Sequence, residues 1–214
     1  MPCFSQSDDL KIFYTLHGEL SNPPLVLIHG WTCDSLDWSF TIPALIQKYY
    51  VIVFDLRGHG HSSAPESITY TIKDFAEDAV ALLQHVSITK GVLVMGHSVG
   101  GVVASAITAL HPDIFRGLVA IAEHVVDKIL QGAYAPGMLG QQETHAHLVK
   151  DREIPQLAVY MTEENVEDEK SLGVGADDEI VQLADAGHWL RHIKPDEFNA
   201  ILTKWLERTE AAKA

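Results

Sequence analysis

One serine in the sequence lies in a setting that could make it a nucleophile. Ser98 is at the centre of the segment 96–101, GHSVGG, which follows the apolar run 91–95 and precedes a helix-like segment. A strand that turns sharply into a helix holds the serine in a strained backbone conformation, and flanking glycines remove the side-chain clashes. The hydroxyl is then exposed at the sheet edge, where the helix N-terminus favours developing negative charge. This context predicts that Ser98 is a catalytic nucleophile.

A serine hydroxyl attacks well only when a nearby base accepts its proton. Among the 12 histidines, we expect His188 to be this base, because it lies in the segment 185–189, DAGHW, just past the last predicted strand. There its side chain can reach the carboxyl edge of a parallel sheet. We expect a packing role for His97, and a loop-holding role for the two histidines of the segment 57–62, RGHGHS. The H-x-H at 145–147 is too small a set of ligands for a metal site, so no metal is expected.

The elements that must position these residues follow a regular order along the chain. Apolar runs predict buried strands over 25–29, 51–56, 91–95, 118–122, 157–161 and 179–183, and the alternating run 11–16 predicts an antiparallel strand. Apolar spacing predicts helices over 72–86, 99–110 and 197–208. This rhythm predicts an α/β fold, with a mostly parallel sheet and helices on both faces, in a single domain over residues 1–214.

Composition limits the partners and the location that we expect. The formal charge of −14 opposes binding to nucleic acid or to an anionic membrane, although five of the carboxylates lie together at 163–169, in a solvated loop or helix face. No apolar run approaches the roughly 18 residues of a membrane span. The first ten residues do not resemble a signal peptide, and the two cysteines, Cys3 and Cys33, make no disulfide framework. We therefore expect a cytoplasmic protein; the sequence does not predict its oligomeric state.

Four motifs in this order resemble the α/β-hydrolase superfamily over nearly the whole chain. They are the segment 29–31 (HGW), the segment 55–60 (DLRGHG), the turn around Ser98, and the Gly-His pair that ends at His188. The first and third are similar to those of small serine carboxylesterases and lactonases. The resemblance implies the α/β-hydrolase fold, with Ser98 as nucleophile, His188 as base, and an oxyanion hole made by the backbone N–H groups of Trp31 and Val99.

The tryptophans beside these motifs are candidates for the substrate pocket. The side chains of Trp31 and Trp189 adjoin the expected oxyanion hole and the expected base, respectively. For Trp31, a core position is an equally open interpretation.

The third member of the expected triad departs from the family pattern. Relatives usually place an aspartate after the strand at 157–161, and by spacing from Pro155 the matching residue is Glu164, with Glu163 beside it. Some relatives instead use the end of the preceding strand, near Glu123. That residue lies one position beyond the usual place, and one residue along a strand reverses the direction of the side chain. A glutamate can orient a histidine as an aspartate does, so we expect Glu164, with Glu123 as the alternative.

The segment that forms a helical cap in many relatives is short in this chain. Only residues 124–154 are available for it, so we expect a shortened cap and an open site. The expected function is hydrolysis of a small-molecule carboxylic ester or lactone through an acyl-enzyme on Ser98, without a cofactor. Two alternatives remain: the same residues performing carbon–carbon hydrolysis, lyase, acyl-transfer or cofactor-free oxygenase chemistry, or a non-catalytic small-molecule receptor or interaction module.

Overall fold

The computed structural model describes residues 2–121, 154–171 and 173–211. The strands in these ranges are β1 (Cys3–Ser5), β2 (Lys11–His17), β3 (Pro24–Ile28), β4 (Tyr50–Phe54), β5 (Val92–His97), β6 (Phe115–Ile121), β7 (Gln156–Tyr160) and β8 (Glu179–Gln182). The helices are α1 (Ile42–Leu45), α2 (Ile72–His85), α3 (Val99–Leu110), α4 (Glu163–Ser171), α5 (Leu190–Ile193) and α6 (Pro195–Ala211), with a 3₁₀ helix at Ser35–Trp38. Within the same ranges, no helix has both the length and the apolar character needed to cross a membrane.

The strands form one eight-stranded sheet in the order β1-β2-β4-β3-β5-β6-β7-β8. The pairings of β1 with β2 and of β2 with β4 are antiparallel, and all the pairings from β4 to β8 are parallel. The expected α/β-hydrolase architecture, with a mostly parallel sheet, is therefore confirmed.

Two apolar cores lie on opposite faces of the sheet because side chains alternate along each strand. On β3, Val26 and Ile28 face α2 and α3, whereas Leu25 and Leu27 face α1 and α6. The predicted helices on both faces are thus present.

The register of the central strands brings the chemically important loops together. Ile28, the last residue of β3, pairs with Gly96 of β5, and His97 pairs with Ile121 of β6. The loop that follows β3 therefore begins beside the turn that follows β5. Parallel strands place both at the same edge of the sheet.

The predicted elements match the structure to within a few residues at their ends, but several short elements were not expected. These are β1, α1, α5 and the 3₁₀ helix. The acidic run forms α4, and its buried residues are Asn165, Val166 and Glu169. The shortened cap expected at 124–154 lies, except for Ile154, outside the described residues.

Candidate active site

Ser98 lies at the junction of β5 and α3 in a strained backbone conformation. Its φ of 56° and ψ of −124° are values that a residue with a side chain rarely adopts. Its backbone N–H donates to the carbonyl oxygen of Ile121 at 2.7 Å, which fixes the turn to the neighbouring strand. The sharp turn predicted from the segment GHSVGG is present.

Two glycines make this turn possible because neither position has room for a side chain. A Cβ added to Gly96 would collide with the backbone of Gly100, and a Cβ added to Gly100 would collide with the carbonyl oxygens of Ile28 and His29. The first turn of α3 therefore packs directly on backbone atoms of β5 and of the loop after β3.

The expected oxyanion hole combines the start of α3 with the loop that follows β3. Val99 is the first residue of α3, so its N–H has no carbonyl partner within the helix. Gly30 packs on the serine turn, since a Cβ added there would lie 3.3 Å from the Cβ of Ser98. Trp31 follows directly, so the structure brings both expected donor segments to Ser98.

His29 fixes the loop that follows β3 through two hydrogen bonds. Its Nδ1–H donates to the carbonyl oxygen of Gly30 at 2.7 Å, and its Nε2 accepts from the N–H of Leu56 at 2.9 Å. Burial lowers the pKa of His29, which favours the neutral form that this donor–acceptor pattern requires.

The segment 55–63 is braced by two buried carboxylates. Asp55 accepts from the backbone N–H groups of Ser35 and His61, both at 2.7 Å. Arg57 binds both carboxylate oxygens of Asp78 on α2, at 2.6 and 2.7 Å. Of the two histidines expected to hold this loop, His59 has its Nδ1 3.0 Å from the carbonyl oxygen of Arg57, and His61 has its Nδ1 3.4 Å from Asp55 Oδ2. The two carboxylates attach the segment to the loop after β3 and to α2.

His188 lies beside His97, the residue that precedes Ser98. Its ring centroid is 4.7 Å from that of His97, and its carbonyl oxygen accepts from His97 Nε2–H at 2.9 Å. A turn with positive φ at Asp185 and Gly187 carries His188 back over the sheet edge. The candidate base and the candidate nucleophile therefore lie in the same small region.

The expected acid, Glu164, lies on a helix. Glu164 lies in the first turn of helix α4 and is exposed, not in a loop that points toward His188. Among the described residues, no hydrogen bond or ion pair joins Glu164 to His188. The helix begins after a two-residue turn that follows β7 and buries Asn165 and Val166, whereas Glu164 is exposed. The alternative, Glu123, lies outside the described residues.

Comparison with known proteins decides the family. Residues 23–168 match the family model described as the alpha/beta hydrolase fold. The chain belongs to the α/β-hydrolase family.

Curated relatives of this α/β hydrolase carry several different activities in their names. The chain is 35% identical over 109 residues to a putative esterase/lipase of Haemophilus influenzae, covering 51% of this chain and 37% of the relative. It is 34% identical over 140 residues to a non-heme haloperoxidase of Rhodococcus erythropolis, covering 65% of this chain and 46% of the relative. The α/β hydrolase thus spans less than half the length of these two relatives.

A carboxylesterase structure from Nitrososphaera gargenis has the same fold. It superimposes with a TM-score of 0.80 over 99% of this chain and 100% of that chain, at 19% sequence identity. At this level of identity the likeness shows the fold and not the substrate.

Both candidate pocket tryptophans of the α/β hydrolase are partly exposed. Trp31 is 46% exposed and packs edge-on against His59, with ring centroids 4.9 Å apart. Trp189 is 42% exposed, and its ring centroid lies 5.4 Å from that of His188. The core interpretation of Trp31 is therefore wrong, because half its surface faces outward.

A buried polar cluster behind His188 was not found from the sequence. His97 Nδ1 lies 3.4 Å from Asp37 Oδ2, and Arg191 forms an ion pair with the same carboxylate oxygen. Burial lowers the pKa of His97 to about 4. Burial alone would raise the pKa of Asp37, but its contacts with His97 and Arg191 lower it to about 2. The expectation that His97 only packs was incomplete, because its ring also makes polar contacts on both sides.

Other reactive groups near the site lack the features of a nucleophile or of a metal ligand set. Burial, together with the charge of Asp37, raises the pKa of the Cys33 thiol to about 11, so it stays protonated at neutral pH. In the part of the chain that the structure describes, no group of three or more histidine, cysteine or acidic residues could hold a metal ion.

Proposed function

We propose that this α/β hydrolase cleaves a carboxylic ester or a lactone through an acyl-enzyme on Ser98. The observation that carries the proposal is the strained serine at the start of α3, with His188 beside its turn. Backbone strain of this kind costs about 1–3 kcal/mol and is usually kept where function needs it. The esterase/lipase and carboxylesterase likenesses support the same reaction class.

In the proposed mechanism, Ser98 Oγ attacks the substrate carbonyl carbon while its proton passes to His188. The oxyanion of the tetrahedral intermediate accepts hydrogen bonds from the N–H groups of Trp31 and Val99, each worth about 3 kcal/mol. Collapse breaks the carbon–oxygen bond, and the alcohol leaves with the proton from His188. Water activated by His188 then attacks the acyl-enzyme, which releases the acid and restores Ser98.

The surroundings of the site favour an uncharged acyl group. Trp31, His59 and Phe75 form one aromatic group, and Trp189 stands beside His188. Asp37 and Arg191, which lie behind His97, form a buried ion pair that is neutral overall. We therefore propose a small apolar or aromatic ester or lactone as substrate.

Hydrolysis of short p-nitrophenyl esters tests the nucleophile. Ser98→Ala should lower kcat by at least about 10³-fold. Ser21→Ala is the matched control, because Ser21 is exposed in the loop before β3, far along the sheet from the serine turn. Equal rates for Ser98→Ala and the native chain would refute the mechanism.

The identity of the orienting acid is tested separately. We propose a glutamate in this role, with Glu164→Gln and Glu123→Gln as the main pair of variants and Glu163→Gln as a test of the adjacent candidate. Glu19→Gln is the control, because Glu19 is exposed in the loop before β3. Loss of the acid should lower kcat by roughly 10²–10⁴-fold. A large loss in Glu164→Gln would mean that α4 rearranges when substrate binds, since Glu164 is exposed in this structure. Normal rates in all three variants would remove the acid from the proposal.

A different reaction at the same residues is the main competing function. One relative is named a non-heme haloperoxidase, and the α/β-hydrolase fold alone does not determine the reaction. A panel of esters, lactones, carbon–carbon hydrolase substrates and peroxide-dependent halogenation, run with native and Ser98→Ala chains, distinguishes these reactions. Saturable ligand binding without turnover would instead support a receptor.

We also propose a cytoplasmic location. Its support is that Cys3 and Cys33 are both free thiols in the structure. Cell fractionation with an antibody to the native chain tests this, and recovery from a membrane or secreted fraction would contradict it.

A further inference from the structure

The buried polar cluster of Asp37, His97 and Arg191 connects three parts of the site that are distant in the chain. Asp37 comes from the 3₁₀ helix after the oxyanion loop, His97 ends β5, and Arg191 lies on α5 just after His188. Asp37 is 7% exposed, His97 is 1% exposed and Arg191 is 0% exposed. Burial of three polar side chains is costly unless each one is paired, so the cluster requires a structural or functional reason.

His97 attaches the backbone of His188 to the nucleophile turn. Its Nε2 lies 2.9 Å from the carbonyl oxygen of His188, an acceptor, so the proton must be on Nε2. The other nitrogen, Nδ1, faces Asp37 Oδ2 at 3.4 Å. If the proton were on Nδ1 instead, the lone pair of Nε2 would face a lone pair of the His188 carbonyl oxygen at 2.9 Å, and the two would repel each other. The hydrogen bond to His188 therefore selects one tautomer of His97.

Arg191 provides a second attachment for the loop that carries His188, because it binds Asp37. Its guanidinium forms an ion pair with Asp37 Oδ2, and its Nε–H donates to the carbonyl oxygen of Asp37 at 3.2 Å. It also stacks 4.7 Å from the centroid of the Trp38 ring, which is fully buried. The ion pair of Asp37 and Arg191 is neutral overall, so His97 does not face an isolated carboxylate charge. The loop carrying His188 is held both at His188 and three residues later.

We propose that Asp37, His97 and Arg191 are positioning residues that hold the His188 loop so that its imidazole faces Ser98. This role rests on the proposed function, because it assumes that His188 acts as the base. None of the three side chains needs to touch the substrate. A displacement of about 1 Å in a catalytic group can lower the rate about 10²-fold, so the loss of either attachment should appear in kcat.

Two substitutions of His97 separate positioning from packing. In His97→Gln, the terminal amide can donate from the place of Nε2, so the bond to the His188 carbonyl is kept. In His97→Asn, the shorter amide reaches only the place of Nδ1, on the Asp37 side. With p-nitrophenyl acetate, we expect kcat to fall at least 10-fold in His97→Asn and less than 3-fold in His97→Gln, with KM nearly unchanged in both. Equal kcat values in the two variants would overturn the proposal.

The second attachment has its own variant. Arg191→Lys keeps the positive charge beside Asp37 but loses the planar Nε–H donor to the Asp37 carbonyl. We expect a fall in kcat of about 10-fold with unchanged KM. A kcat equal to that of the native chain in Arg191→Lys, with a folded circular dichroism spectrum, would show that Arg191 has no positioning role.

A measurement without turnover distinguishes failure of the positioning role from failure of the proposed function. In chains with ¹⁵N-labelled histidine, the imidazole signals of His188 are assigned with His188→Gln. They should form one sharp set in the native chain and in His97→Gln, and broadened or multiple sets in His97→Asn. If the native chain shows no Ser98-dependent turnover, the proposed function fails, while these spectra still decide positioning. Identical His188 signals in all three chains would refute it.

Discussion

The low pKa of His97 predicts a specific loss of stability in acid. A histidine that titrates at about 4 in the folded chain, compared with 6.5 when unfolded, binds its proton more weakly in the folded state. Between these two pH values the unfolded chain carries the extra proton, so its free energy falls relative to that of the folded chain. The contribution of His97 to stability is therefore complete above pH 6.5 and is lost progressively as the pH falls toward 4.

The magnitude follows from the two pKa values. The full difference between 6.5 and about 4 corresponds to about 3 kcal/mol, and most of it should appear between pH 7.5 and pH 4.5. The ion pair that faces His97 does not change over this range: Asp37, with a pKa of about 2, stays ionised, and Arg191 stays charged. The His188 imidazole, which also packs against His97, is present in both chains compared below. Since His97 is almost completely buried, solvent screening reduces this value little.

Urea unfolding at the two pH values, for the native chain and for His97→Gln, measures the effect. Burial lowers the pKa values of His17, His29 and His192 as well, but these residues are present in both chains and cancel in the comparison. The native chain should lose about 2–3 kcal/mol more than the variant between pH 7.5 and pH 4.5. If both chains lose the same free energy of unfolding, His97 is not held neutral by burial and the reasoning is wrong.

Three further predictions concern backbone strain, close packing and buried charge. In urea, the free energy of unfolding of Ser98→Gly should be about 1 kcal/mol higher than that of Ser98→Ala, because only glycine tolerates a φ of 56° without strain. Equal free energies of unfolding would show that the backbone at this position is not strained. Gly100→Ala should lower the free energy of unfolding by more than about 2 kcal/mol, because its Cβ would overlap the carbonyl oxygens of Ile28 and His29. An unchanged Tm would contradict this close packing. Asp78→Asn should lower the free energy of unfolding by about 3 kcal/mol, since it removes the fully buried carboxylate that pairs with Arg57 and leaves only Asp74, at 3.6 Å. The double variant Arg57→Met/Asp78→Leu should lose less stability, and the reverse order of the two would refute the argument.

The strands and the long helices could be predicted because their signals are local. A buried parallel strand is a short apolar run, and a helix shows its spacing within one or two turns. The elements that were missed, such as α5 and the 3₁₀ helix, have only four residues each, too few for a periodic signal. Their positions depend on contacts with other parts of the chain.

The acid illustrates the limit of a spacing argument. Glu164 has the expected distance in sequence from Pro155, and in the structure it lies in the first turn of α4 with its side chain exposed. At the start of α4, Asn165 and Val166 are buried, and the hydroxyl of Thr162 accepts from the N–H of Asn165 at 3.2 Å. These are packing preferences, which counting residues along the chain does not include.

The sequence by itself determined the serine turn, because its strand, glycines, serine and helix are contiguous, and local sterics leave few conformations for such a segment. Only the tertiary structure decided what surrounds His188. The hydrogen bond from His97 to His188 joins residues 91 positions apart, and the contact of Arg191 with Asp37 joins residues 154 positions apart. Such pairs have no local signal, since they form only when parallel strands bring the ends of distant segments to one edge of the sheet.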